Sequence, residues 1–195
     1  FLQSHGVSTS HATKIFKTYG TDSIAVVKEN PYKLADDIWG IGFKTADTIA
    51  AKLGMAKDAL VRLRSGLLYT LNKLSEDGHC YAVFDQLFKA ASEMLESQGE
   101  KLQPVLDEMA HAEDVIIEDK AIYLPPFYFS EIGVAKKIRT LIEAKGNTHI
   151  DSAGVIERMN TPKPNGITYD EVQLEAIETA VTNKCMVLTG GPGTG

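Results

Sequence analysis

The sequence has little cysteine, no long apolar run and no excess of positive charge. Two cysteines in 195 residues, Cys80 and Cys185, are too few and too far apart for a disulfide scaffold or a Cys-x-x-Cys metal site, and read most simply as two free thiols. No apolar stretch approaches the roughly 18–20 residues needed to cross a bilayer, and no secretory leader is visible in a sequence that begins at Phe1. Twenty basic side chains stand against 26 acidic ones, for a net charge of −6. That excludes a protein holding nucleic acid mainly by a bulk cationic field. What is present is ordinary for a globular chain: 44% hydrophobic and 24% charged residues, which exclude general disorder and fibrous repeats.

The charge is uneven. Residues 1–58 carry a net +1, residues 59–125 a net −6 and residues 126–195 a net −1. The middle third is a poor partner for phosphate. Any nucleic-acid contact is expected in the first third, through backbone donors rather than a field of lysines.

Within that first third a pattern repeats. Gly6-Val7-Ser8, Ala12, Ile15 and Gly20 recur 34 residues later as Gly40-Ile41-Gly42, Ala46, Ile49 and Gly54. A fixed offset of this kind suggests two copies of one supersecondary unit. Each copy has a tight turn needing glycine's backbone freedom. A helical pattern follows, with Ala12, Ile15 and Phe16, or Ala46, Ile49, Ala50 and Leu53, on one face. A glycine then stands where a helix C-cap belongs. Pro31 is expected to open a short helix over residues 32–38. This is the helix-hairpin-helix pattern, which implies sequence-independent DNA binding through hairpin amides and a helix N-terminus aimed at phosphate. The expected contacts are Gly6, Val7 and Ser8 in the first copy, and Gly40, Ile41, Gly42 and Lys44 in the second. Ser8 replaces the second glycine of the first copy, which is expected to bind phosphate less well. The competing reading is that one or both copies only brace a helical domain.

Residues 59–75 read as a helix with Leu60, Leu63, Leu67, Leu68, Leu71 and Leu74 on its apolar side. A short strand candidate over residues 79–83, amphipathic segments over 87–95 and 102–109, and a hairpin signal around Glu118-Asp119-Lys120 follow. That order is winged-helix-like, but its acidity favours packing or docking of a protein partner over duplex binding. His79, at a helix-to-strand corner, reads as a satisfied structural histidine, and the five histidines form no ligand set. Pro125-Pro126 breaks the chain. A connecting helix over residues 127–144 follows, with Ile132, Ala135, Ile138, Leu141 and Ile142 on its buried side, then a glycine- and proline-rich stretch over 146–168 read largely as linker.

Beyond the linker, Asp170 can cap a helix running to about residue 183. Residues 185–189 read as a compact apolar strand leading into Gly190-Gly191-Pro192-Gly193-Thr194-Gly195. Gly190 and Gly195 have the Gly-x-x-x-x-Gly spacing of a Walker A loop, whose amides cradle nucleotide phosphates.

Taken together, the chain resembles the RecD-like ATP-dependent DNA helicases, of the RecD/TraA group in superfamily 1. The residues that carry the resemblance are Asn30-Pro31-Tyr32-Lys33-Leu34, Gly40-Ile41-Gly42-Phe43-Lys44-Thr45-Ala46-Asp47, Gly78-His79-Cys80-Tyr81 and the glycine loop from Gly190 to Gly195. Gln173 resembles the glutamine of the family's Q motif, which implies a hydrogen bond from its side-chain amide to adenine. The resemblance implies a parent enzyme that moves 5′-to-3′ along single-stranded DNA, driven by ATP and Mg²⁺, in bacterial repair or recombination. It also implies a cytoplasmic, nucleoid-associated protein acting on single strands or single–double-strand junctions, with no membrane partner. The Walker lysine, the Walker B acid and the arginine fingers would all follow Gly195, so this piece is expected to lack ATPase activity.

The fold class expected is therefore mainly α. It comprises a tandem helix-hairpin-helix (1–58), an acidic winged-helix-like α+β domain with a small β-hairpin (59–125), a connecting helix (126–145), a linker (146–168) and the first helix and strand of a P-loop α/β motor (169–195). Two alternatives remain: a non-enzymatic docking or bracing module of a P-loop ATPase, and a different P-loop ATPase fused to a DNA-binding region.

Overall fold

The computed structural model describes residues 1–5, 7–144, 151–161 and 168–193. They divide into two units, Phe1–Phe129 and Ser130–Gly195. Gly6, Thr194 and Gly195, three of the expected site residues, lie outside the described residues.

In the first unit, a single 3-10 turn over Gln3–His5 precedes α1 (Thr9–Tyr19), α2 (Ser23–Glu29), α3 (Lys33–Asp37) and α4 (Phe43–Lys52). Each hairpin of the repeat leads into a longer helix, α1 or α4. Gly20 (φ 57°) and Gly54 (φ 79°) take the left-handed backbone expected after those helices. Pro31 does not open α3 directly. The Asn30 side chain accepts from the Tyr32 amide at 3.0 Å and holds residues 30–32 in a turn, so the helix starts two residues after the proline. The repeat's apolar positions build one core: Val7 and Ile41, Ile15 and Ile49, with Val27, Leu34 and Ile38. Phe16, expected on the buried face of α1, is 61% exposed. The core is filled at Ile15, and no described residue covers the adjacent side of the helix.

The rest of the unit is α5 (Leu60–Glu76), β1 (Ala82–Val83), α6 (Phe84–Leu95), α7 (Leu102–His111), β2 (Ile116–Glu118), β3 (Ala121–Tyr123) and the start of α8 (Pro125–Glu143). The strands form an antiparallel sheet in the order β1-β3-β2. The expected hairpin turns at Asp119, in the left-handed region (φ 53°). The expected strand over 79–83 shortens to two residues, because β3 offers partners only to Ala82 and Val83. His79, read as a satisfied structural histidine, is exposed, with its backbone amide donating to the Leu74 carbonyl at 3.0 Å, and both cysteines are free and exposed. A second core gathers Leu63, Leu67 and Leu71 of α5 with Leu87, Leu95, Leu102, Leu106 and Ile122, while Leu60 stays outside.

No gap separates residues 1–58 from 59–125. Helix α4 lends Ile49 to the first core and Phe43, Ala46 and Ala50 to the second. Phe43 stacks between Tyr32 and Tyr69, with ring centroids 5.5 and 5.2 Å away. The family of contacts that defines the hairpin repeat therefore continues into α5.

Helix α8 begins at Pro125, at the end of the first unit, since proline is tolerated in a first helical turn, and most of it belongs to the second. Ile132, Ile138, Leu141 and Ile142, expected on its buried side, are all exposed. Helix α9 (Ser152–Asn160) occupies part of the stretch read as linker and lies against α10 (Glu171–Thr182). The expected capping of α10 is present in full: Asp170 Oδ1 accepts from the Gln173 amide at 2.8 Å, and Gln173 Oε1 accepts from the Asp170 amide at 3.2 Å. Residues 185–189 form no strand, which corrects the sequence reading. No neighbouring strand among the described residues meets their amides and carbonyls, and Val187 is 86% exposed. Among the described residues, no helix is long and apolar enough to cross a membrane.

Candidate functional site

The two hairpins differ at their helix N-termini. In the first, Ser8 caps α1, its hydroxyl accepting from the His11 amide at 3.1 Å. In the second, Gly42 takes the cap position of α4 with an extended backbone (φ −96°, ψ 174°) and no side chain to offer. Its carbonyl accepts from the Thr45 and Ala46 amides. The amides of Gly40, Gly42, Phe43 and Lys44 donate to no acceptor among the described residues. Four open donors at the positive end of a helix, beside the exposed Lys44, form an anion-binding geometry. A Cβ on Gly42 would meet nothing within 4 Å, so the approach is open. Gly40 sits at φ +89°, where its place in the turn requires glycine. Ile41 and Val7 are buried, and their amides are already spent, Ile41 donating to the Ile38 carbonyl at 3.0 Å and Val7 to the Leu2 carbonyl at 3.1 Å, so these two expected contacts offer phosphate no donor.

The hairpin is fixed from both sides. Lys14 of α1 donates from Nζ to the Trp39 carbonyl at 3.0 Å. The Tyr19 hydroxyl donates to Asp37 Oδ2 at 2.6 Å. Burial, then Asp37, pushes the Tyr19 hydroxyl well above the ordinary tyrosine range, so it stays a donor. Burial next to Asp37 also pushes the Asp36 carboxyl upward. On the other side, Asp47 of α4 is held by Arg62 of α5, Nε to Oδ1 at 2.8 Å and Nη2 to Oδ2 at 3.0 Å, and by the Tyr32 hydroxyl at 2.6 Å. Burial alone would raise the Asp47 carboxyl, but the Arg62 and Tyr32 hydrogen bonds outweigh it and hold the group below the usual carboxylate range.

Sequence reasoning missed Trp39, the chain's sole tryptophan. It stands at the tip of the second hairpin, 91% exposed, with Lys14 Nζ 5.6 Å from its ring centroid. Its identity was visible, but only the fold shows that Ile38 and Ile41 turn inward while it turns out.

The second candidate site lies in the other unit. Gln173, Gly190, Gly191 and Gly193 line one open cleft of about 1120 Å³ with Tyr169, Asp170 and Leu188. Pro192 and Gly193 form a turn, Gly193 at φ +82°. Gln173 spends its Oε1 on the cap of α10, which leaves Nε2 as the group able to donate to a base. Among the described residues, no cluster of histidine, cysteine or acidic side chains has the makings of a metal site.

Comparison with known proteins bears on these sites. Residues 1–81 match the family model of the helix-hairpin-helix domain of the ATP-dependent RecD2 DNA helicase. The whole chain aligns with the ATP-dependent RecD2 DNA helicase of Deinococcus radiodurans at 26% identity over 208 residues. The chain spans 28% of the length of that curated relative. Both matches support the resemblance to RecD-like helicases read from the sequence motifs, and they place the matched hairpin domain at the start of this chain.

Proposed function

We propose, for a chain that resembles the N-terminal region of RecD-like helicases, that it is the DNA-engaging part of an ATP-dependent DNA helicase. The observation that carries this reading is the open α4 N-terminus. Four unmet amides, an exposed lysine and an absent side chain at Gly42 suit one or two backbone phosphates of DNA, without regard to sequence. The first hairpin, capped by its own serine, is the weaker site. The net −6 of residues 59–125 turns that region away from DNA and toward packing or a protein partner.

The cleft beside Gln173 supports a nucleotide site in the same protein. Gln173 Nε2 would meet adenine, and the glycine loop from Gly190 would lie along the phosphates. ATP with Mg²⁺ supplies a phosphoanhydride whose hydrolysis drives strand movement. The 5′-to-3′ direction, a role in repair or recombination and a cytoplasmic setting follow from the resemblance.

Gly42→Ser tests the reading. The new hydroxyl would cap α4 as Ser8 caps α1, leaving the fold as stable as before, and would stand where a phosphate oxygen belongs. Fluorescence anisotropy with labelled DNA over a salt series is expected to show affinity falling several-fold. The slope of log affinity against log salt should change little, because the blocked donors are neutral amides and no cation is removed. Unchanged affinity would favour a second reading, that the hairpins brace the fold. The Asp47–Arg62 clasp joining α4 to α5 is the observation on its side.

A further inference from the structure

We propose that Trp39 stacks on an unpaired nucleobase, so that the second hairpin holds a DNA strand by base as well as by phosphate. The inference rests on the DNA reading above and adds to it a preference for unpaired strands.

The placement of Trp39 costs the protein something and returns nothing to the fold. A tryptophan left 91% exposed forgoes a large burial gain. Its flanking residues Ile38 and Ile41 are buried, and Gly40 turns at φ +89° between them, so the tip is rigid. Lys14 fixes the tip at the Trp39 carbonyl and sets its ammonium beside the ring. The ring therefore stands on a backbone held in place and keeps an open face. The open amides of Gly40, Gly42, Phe43 and Lys44 lie one to five residues along the same turn.

The surroundings select the occupant. An apolar protein partner would want a continuous apolar patch, whereas here the tip carries glycine backbone, Lys14 and Lys44. Of the acidic pair just before it, Asp37 is committed to the Tyr19 hydroxyl. An aromatic face next to cations and anion-seeking amides matches the two halves of a nucleotide, base and phosphate. In a duplex the base faces are stacked on one another, so the ring finds a partner only in a single strand or at an opened end.

Because Trp39 is the sole tryptophan, the intact chain reports on itself. Its emission would be followed while a fluorescently labelled oligothymidylate, a blunt duplex or a duplex with a single-stranded tail is added, with anisotropy read in parallel. Oligothymidylate and the tailed duplex are expected to quench the emission, and the blunt duplex to leave it nearly unchanged. Trp39→Ala should weaken single-strand binding by about tenfold to a hundredfold, Trp39→Phe should recover much of it, and blunt-duplex binding should barely move. Thermal melts by circular dichroism should match among the three proteins, since the side chain is outside the core. If wild type binds DNA in a salt-dependent way while Trp39 emission and the Trp39→Ala affinity stay unchanged, the stacking proposal is overturned and the phosphate reading stands. If wild type binds no DNA even at low salt, both fall.

Discussion

Arg62 offers its planar fork to four acceptors on three parts of the chain: both oxygens of Asp47 in α4, the Lys57 carbonyl in the following loop and the Leu95 carbonyl at the end of α6. Its side chain is 11% exposed, so its removal would leave a carboxylate and two carbonyls poorly satisfied. Arg62→Ala is expected to cost about 3 kcal/mol in denaturant unfolding. Arg62→Lys should recover only part of that, because a point charge cannot span the four acceptors. The pH dependence follows from Asp47. Its carboxyl is depressed in the folded chain, so the clasp contributes its full stability above the unfolded-state value, about 3.9. That stability is lost as pH falls through the lower folded-state value. The stability gap between wild type and Asp47→Asn should thus be widest near pH 6–7 and shrink toward pH 2–3, as read from thermal melts. None of this was legible in the sequence. Arg62 is one charge on an amphipathic helix, and its partner lies fifteen residues earlier with no periodicity to link them.

Gly66 of α5 lies against Leu95 at the end of α6. A Cβ there would lie 2.6–2.9 Å from the Leu95 side chain, including its branch carbon, and Leu95 is fully buried with nowhere to turn. Gly66→Ala gains helix propensity of about 1 kcal/mol but overpacks the contact by about 1–3 kcal/mol. The net expectation is a lower melting temperature by a few degrees, seen in calorimetry. Elements of this kind were largely legible. α5, α6, α7, α10 with its capping box, and the β2–β3 hairpin all follow from local periodicity and local end signals. What failed was burial. Phe16 and the apolar side of α8 carry the right spacing yet lie exposed, because spacing defines a face and only a neighbour can bury it. Residues 185–189 have a strand's composition, but a strand exists only when another meets its backbone groups.

Across the whole molecule, every buried side chain among the described residues lies between Val7 and Tyr123. The described residues from 130 to 193 contribute helices but no buried core of their own. A chain ending after residue 144, which keeps α8 intact, is expected to unfold in calorimetry at nearly the melting temperature of the 195-residue chain, within about 2 °C. A drop of ten degrees or more would show that the first unit leans on the second. At this scale the offset of 34 residues disclosed both hairpins and named the backbone of the second as the better candidate. The asymmetry between them, one helix capped by Ser8 and the other left open, was half visible in the serine itself. The outward placement of Trp39 and the continuity of α4 through two cores were not visible, since both depend on residues brought together from afar. That continuity has a mechanical meaning. The open hairpin sits at the head of a helix rooted in both cores, so a pull on the hairpin would run down α4 as a bolt carries load through two plates. Yielding would require both cores to shear at once.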